Sequence, residues 1–279
     1  MFSPKAPMSH PLRRSETRLL TACLAMVLLA CLVPPLLQPA NYHAFADQRS
    51  WLGVPFAMDV LSNLAFAGLG LAGLARLMHL YGTEPATQPG SAQYPLAALF
   101  FGGLLITAAC SAWYHWQPDD AGLAVDRYGM VLAFAGLLGL AVAGRISGRA
   151  GVLLALGLLL LGPLSVWVWA VSGNVLPWAV LQFGGLALLL VLARLKPLPG
   201  ALAVRWGAVI LLYVVAKVLE LADQMVFTLA GQVVSGHSLK HVVAALAAWP
   251  VIAALGPLGQ TAADSTHPLQ RERQQACRH

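Results

Sequence analysis

Long apolar runs alternate with short polar breaks along most of the chain. Eight runs approach the roughly 20 apolar residues that a helix needs to cross a bilayer. They cover residues 19–38, 58–79, 94–115, 125–144, 151–172, 178–194, 206–229 and 237–256. Turn-forming stretches separate them, such as GRISGR (144–149) and RLKPLPG (194–200). The pattern predicts an all-α, polytopic membrane helix bundle without a separate soluble domain.

The composition supports this prediction and excludes other classes. Of the residues, 58% are hydrophobic and 10% are charged, whereas soluble domains carry about 25% charged residues. The net charge of +6 does not indicate nucleic-acid binding, because the basic residues lie in short loops and tails without interleaved aromatic residues. The four cysteines form no CxxC pair, and we interpret them as small apolar packing residues.

The distribution of basic residues predicts the orientation. Lys and Arg are retained on the cytoplasmic side of a membrane. They cluster before the first run, after the second, fourth and sixth runs, and at the end of the chain, whereas only Arg49 and Arg127 lie near helix ends on the other side. Both termini are therefore predicted to be cytoplasmic. AFA (44–46) resembles a signal-peptide cleavage site, but it lies too far beyond the first run, which we interpret as an uncleaved helix.

Polar residues gather in one layer of the predicted bundle, at the outer ends of five runs. Such residues are costly inside a membrane and are functional candidates by default. They are Asp59, Ser62, Asn63, Ser111, His115, Asp126, Arg127, Lys217, Glu220, Asp223, His237, Lys240 and His241.

The spacing within this layer suggests a metal site. His237 and His241 are four residues apart and share one helix face, with Cβ atoms about 6 Å apart. Ser111 and His115 have the same spacing. Two histidines from one helix and one from another can give zinc three neutral nitrogen ligands and leave a fourth position for water. Nearby carboxylates would balance the charge of the metal, and the candidates are Asp59, Asp126, Glu220 and Asp223.

Each of these features also has a simpler interpretation. An HxxxH pair alone fits interfacial histidines at the start of a helix. Ser62 and Asn63 also fit hydrogen bonds between membrane helices. Asp126 also fits a helix N-cap, and Lys240 is predicted to extend its ammonium group to the membrane interface. The joint occurrence in one layer favours a functional site.

The motifs resemble those of the alkaline ceramidase family, within a group of seven-helix membrane hydrolases that includes the adiponectin receptors. They are SNL (62–64), SxxxH (111–115), Asp126 eleven residues later, and HxxxH (237–241). FADQRSWLGVPFAMDVLSNL (45–64) and VVSGHSLKH (233–241) resemble the bacterial branch. The resemblance covers residues 43 to about 256. It implies a seven-helix core (39–256), an extra membrane helix (19–38), and cytoplasmic tails (1–18 and 257–279).

The resemblance also implies roles for individual residues. Zinc would be held by His115, His237 and His241, with Asp126 and Ser111 beside it. Animal members carry an acidic calcium site before the first core helix. Here the matching stretch offers Asp47, but Phe56 stands where a second acid is expected, so calcium has little support even if Asp59 compensates.

The expected function is zinc-dependent hydrolysis of the N-acyl bond of ceramide or a related lipid. The lipid would enter laterally from a bacterial inner membrane, and the active site would lie near its outer, periplasmic face. Two alternatives stay open: a receptor- or transporter-like membrane protein with structural zinc, and a hydrolase of another acyl lipid. The sequence leaves open the acyl length, the oligomeric state and the exact lipid.

Overall fold

The computed structural model describes residues 12–81 and 92–256, and these ranges contain eleven helices and no β-sheet. The helices are α1 (Arg14–Leu32), α2 (Ala57–Ser62), α3 (Leu64–Tyr81), α4 (Gln93–Trp116), α5 (Asp120–Arg145), α6 (Gly148–Ser172), α7 (Leu176–Arg194), α8 (Trp206–Leu221), α9 (Asp223–Leu229), α10 (Gly236–Leu246) and α11 (Trp249–Ala254). The all-α prediction is confirmed. Most of the predicted N-terminal tail and the whole predicted C-terminal tail (257–279) lie outside the described residues.

Seven segments of the described chain are long and apolar enough to cross a membrane, so the chain is a membrane protein. Two of them combine short helices, since α2 continues into α3 and α10 into α11. The predicted span at 206–229 is different. It consists of α8 and the short α9, which are separated at Ala222, and neither helix alone reaches the length of a span.

The predicted boundaries of the first helix and the predicted start of α5 are wrong. The first helix begins at Arg14 instead of residue 19. The first helix ends at Leu32 instead of residue 38, because prolines at 34 and 35 cannot continue it. The fourth long helix, α5, begins at Asp120 instead of residue 125. Asp119 is its N-cap, and the side chain accepts a hydrogen bond of 2.6 Å from the backbone N–H of Gly122.

Helix α5 lies at the centre of the bundle and is the most buried of the long helices. It packs along α4 and α6. At Gly136 the absence of a side chain is required, because a Cβ atom would lie 2.2 Å from the backbone nitrogen of Phe100 on α4. Close backbone approach at small residues is a common way to pack membrane helices.

Helix α1 lies at the periphery, mainly against α7, and none of its residues is buried. Polar contacts fasten both of its ends. The hydroxyl of Ser147 donates to Glu16 at 2.6 Å near the start of the helix. Beyond its end, the backbone N–H of Leu36 donates to the Asn174 side chain at 3.0 Å. This position fits the expectation of an extra helix outside the core.

Candidate metal centre

Three buried histidines meet at one end of the bundle. His115 lies in the last turn of α4, and His237 and His241 lie in the first turns of α10. One nitrogen from each ring lies within 4.8 Å of the other two, so the group could hold a metal ion. The Nε2 atoms of His115 and His237 are 3.3 Å apart. The predicted convergence of these three residues is therefore confirmed.

The separation of one pair of nitrogens in this trio, called the histidine cluster below, matches that of neighbouring ligands in a tetrahedral metal site. With metal–nitrogen distances of about 2.0–2.1 Å, neighbouring ligand nitrogens in a tetrahedron lie about 3.3 Å apart. The pair His115–His237 already has this separation. The identity of the metal does not follow from this geometry alone.

Ser62 fixes the orientation of one imidazole. Its Oγ lies 2.8 Å from Nδ1 of His241 and 3.0 Å from the backbone carbonyl of Asp59. The carbonyl can only accept a hydrogen bond, so the hydroxyl donates to it and accepts the proton of Nδ1. The Nε2 atom of His241 is then unprotonated and free to bind a metal, since a metal-binding histidine commonly donates a hydrogen bond from its other ring nitrogen.

Asp126 and Ser111 lie beside each other next to the cluster. Ser111 lies one turn before His115 on α4, and its hydroxyl is close to the Asp126 carboxylate on α5. The Oδ1 atom of Asp126 is buried and has no partner among the described residues. The alternative role of Asp126 as an N-cap is excluded, because Asp119 caps α5 and Asp126 lies in the second turn.

Asp59 anchors the start of α10 instead of facing the histidines directly. It is fully buried, and its Oδ1 accepts hydrogen bonds from Ser238 at 2.6 Å and Ser235 at 3.3 Å. Asn63 donates from its side chain to the Asp59 backbone carbonyl at 2.8 Å. The bonds of the two serines to Asp59 are not predictable from sequence patterns, because the partners lie 176 and 179 residues apart along the chain.

Glu220 forms an ion-pair group with two lysines. It bonds to Lys217 on its own helix and to Lys240 on α10, the latter at 3.1 Å. The prediction that Lys240 extends to the membrane interface is therefore wrong, because its ammonium group turns inward to Glu220. Arg127 is also buried, with its guanidinium 4.1 Å from the centre of the Trp169 ring.

Asp223 connects its own helix, α9, to the start of α10 and to the backbone of Ala46. Its Oδ1 accepts the backbone N–H of His237 at 2.7 Å, and its Oδ2 accepts the backbone N–H of Ala46 at 2.9 Å. Gly236 permits this contact, because a Cβ atom there would lie 2.3 Å from the carbonyl oxygen of Leu219 and 2.8 Å from the Cα of Asp223. Asp223 therefore positions a histidine without touching its ring.

Residues 45–49 lie over the histidine cluster and are called the covering segment below. The ring of Phe45 is buried, with its centre 4.8 Å from that of His115 and 4.4 Å from that of His237. Arg49 donates to the Val233 carbonyl at 2.9 Å, which ties the segment to the loop before α10. No sequence pattern predicts this contact of Phe45 with the histidines.

Asp47, the candidate calcium ligand, is buried in this segment and already paired with a cation. Both of its carboxylate oxygens accept hydrogen bonds from Arg49, at 2.6 and 2.8 Å. Burial raises the pKa of the Asp47 carboxyl, but the bonds from Arg49 outweigh burial and the pKa lies below its usual value. Calcium at Asp47 would have to displace this guanidinium.

No family model, curated protein or solved structure matches this chain. The resemblance to alkaline ceramidases therefore rests on the motifs quoted above, and membership of that family stays a prediction.

Proposed function

We propose that this chain is an integral-membrane zinc hydrolase that cleaves the amide bond of ceramide or a related N-acyl lipid, releasing a fatty acid and an amine. The observation that carries the proposal is the buried histidine cluster beside an unpartnered oxygen of Asp126.

The donor set favours zinc with an open coordination position. Imidazole suits zinc, copper, iron and nickel, but three neutral nitrogens with a fourth position left free are typical of catalytic zinc. Within the described residues, no acid, cysteine or fourth histidine joins the cluster. A closed structural site normally has four protein ligands, so this arrangement supports catalysis over a purely structural metal. Zinc bound there would make water available at a pKa of about 7.

The charges around the cluster also favour a bound cation. Four carboxylates and three basic side chains surround the cluster, which leaves one negative charge in excess when all are ionised. They are Asp59, Asp126, Glu220, Asp223, Arg127, Lys217 and Lys240. Inside a membrane an uncompensated charge is costly, and zinc with a bound hydroxide, whose net charge is +1, would offset this one.

Asp126 and Ser111 have the chemistry that amide hydrolysis requires. The free Oδ1 of Asp126 can accept a proton from the attacking water and later deliver it to the leaving amine. The hydroxyl of Ser111 can donate a hydrogen bond to the carbonyl oxygen as it gains negative charge.

An apolar cavity of about 120 Å³ lies directly beneath the site. Its lining includes residues that lie about one helical turn deeper in the bundle than residues of the site. These pairs are Phe66 below Ser62, Thr107 below Ser111, Met130 below Asp126, and Ala244 below His241. The site thus lies above an apolar space, as expected for a substrate with an acyl chain. Such a lipid would enter laterally from the bilayer.

The proposal includes an orientation. The distribution of Lys and Arg predicts both termini in the cytoplasm, which puts the histidine cluster near the opposite face. The resemblance to the bacterial branch suggests an inner membrane, so this face would be periplasmic.

The proposal is tested by measuring metal content and lipid cleavage on the same samples. Protein purified in detergent is expected to hold about one zinc per chain and to release fatty acid from long-chain ceramide. Replacing any one of the three histidines by Ala should remove both properties, whereas His79→Ala on the exposed surface of α3 should retain them.

Normal zinc in all three cluster variants would refute the metal site. Zinc without cleavage of any N-acyl lipid would leave a membrane protein with structural zinc. Cleavage of a matched ester but not of the amide would indicate a hydrolase of another acyl lipid.

A further inference from the structure

Helix α1 leaves a long apolar groove between itself and the core, and its lining includes none of the three histidines of the cluster. The groove has a volume of about 530 Å³ and lies against α6 and α7. Its walls include Leu20, Leu24 and Val27 of α1, Leu153 and Leu161 of α6, and Leu188 of α7.

The groove extends along most of the thickness of a membrane interior. Its lining on α1 extends from Glu16 to Cys31, or about 22 Å of helix, and Leu12 before the helix lines its continuation. The hydrocarbon core of a bilayer is about 30 Å thick. Polar bonds hold α1 at both ends, yet no residue of the helix is buried. An apolar groove within the hydrocarbon core of a membrane excludes water, so it is filled by hydrocarbon chains.

The two ends of the groove differ in charge. Arg149 lines one end, and Arg13, Arg14 and Arg18 are exposed on the same end of α1. The acid at this end, Glu16, already accepts the Ser147 hydroxyl. The lining at the opposite end, at Cys31, Val168 and Pro177, carries no charged side chain. The excess of arginines at one end suits a phosphate group.

We propose that this groove binds one anionic phospholipid, with an acyl chain along α6 and the phosphate beside Arg149. The bound lipid completes the contact between α1 and the core. It is a resident lipid and not the hydrolysed substrate, because Arg149 and the histidine cluster lie at opposite ends of the bundle. Asp126 precedes the end of α5 at Arg145 by 19 residues, or about 28 Å of helix.

Gly157 offers a direct test, because it lines the groove and a Cβ atom there would meet nothing within 4 Å. Gly157→Phe should fill the groove without straining the fold. Leu156→Phe is the matched control, since this neighbour is exposed and does not line the groove. Native mass spectrometry after delipidation counts the lipids that each variant rebinds from phosphatidylglycerol or phosphatidylcholine of the same acyl composition.

The wild type and Leu156→Phe should each rebind one phosphatidylglycerol per chain, and Gly157→Phe should lose it. Arg149→Gln should weaken binding about fivefold, as expected for one basic residue at a membrane surface, whereas Arg194→Gln at the exposed end of α7 should have no effect. Rebinding by Gly157→Phe at the wild-type level would overturn the groove as the site. Equal binding of phosphatidylcholine, or unchanged binding by Arg149→Gln, would overturn the assignment of the phosphate.

Discussion

Asp126→Asn should separate the chemistry of the site from its structure. Asn has the same shape as Asp, and its side chain can still contact Ser111 and leave the histidine cluster intact. It cannot, however, accept a proton from water as a carboxylate does. We therefore expect normal zinc content and a rate of ceramide hydrolysis at least about two orders of magnitude lower, which corresponds to about 3 kcal/mol of activation free energy.

The surroundings of Asp126 also predict the effect on stability. The carboxylate is buried, and one of its oxygens has no partner. A buried charge with an unpaired oxygen is costly, so the neutral amide should leave the thermal unfolding temperature unchanged or higher. An inactive variant that is at least as stable as the wild type cannot be explained by misfolding.

The assay is release of fatty acid from long-chain ceramide in detergent micelles, across neutral to alkaline pH, with zinc measured on the same preparation. Asp119→Asn is the matched control, because Asp119 caps α5 and Asn is an equally good N-cap. Full activity of Asp126→Asn would remove Asp126 from the mechanism. An equal loss of activity in Asp119→Asn would show that the loss comes from the helix start and not from the missing carboxylate.

Two further predictions concern the metal and the topology. Ser62→Ala removes the group that orients His241 and should weaken zinc binding about 10- to 100-fold, measured in competition with a chromophoric chelator. Ser172→Ala is the control, because its hydroxyl bonds only to the backbone of Val168 and Asn174. Equal zinc affinities of the two variants would contradict the inferred orientation of His241. Gln232 is exposed in the loop before α10. In a cysteine-free background, Gln232→Cys should react with a membrane-impermeant maleimide on intact cells. Reaction only after lysis would invert the proposed orientation.

The histidine cluster could be predicted from the sequence because its spacing is local. Residues four apart share a face of any helix, so His237 and His241 pair whatever the tertiary structure. His115 was assigned to them because it ends a run on the same side of the membrane. Both arguments need only helix geometry and the alternation of spans.

The supporting contacts could not be predicted, because they depend on how distant segments approach each other. Ser238 bonds to Asp59 across 179 residues, and Asp223 bonds to the backbone of Ala46 across 177. An isolated serine or phenylalanine in a loop gives no information about its partner. The break at Ala222 was missed for a related reason, since the apolar run continues through it without Gly or Pro.

The covering segment is expected to limit the rate at which a metal ion enters or leaves the histidine cluster. Phe45 shields two of the three ligand rings, and the bonds of Asp223 to Ala46 and of Arg49 to Val233 hold it there. We therefore expect that an ion held by the cluster exchanges mainly while this segment is displaced. At high chelator concentration the rate of metal loss should therefore reach a plateau equal to the opening rate of the segment. Slow release of an ion from this site would then be caused by slow opening of the covering segment as well as by a favourable binding free energy.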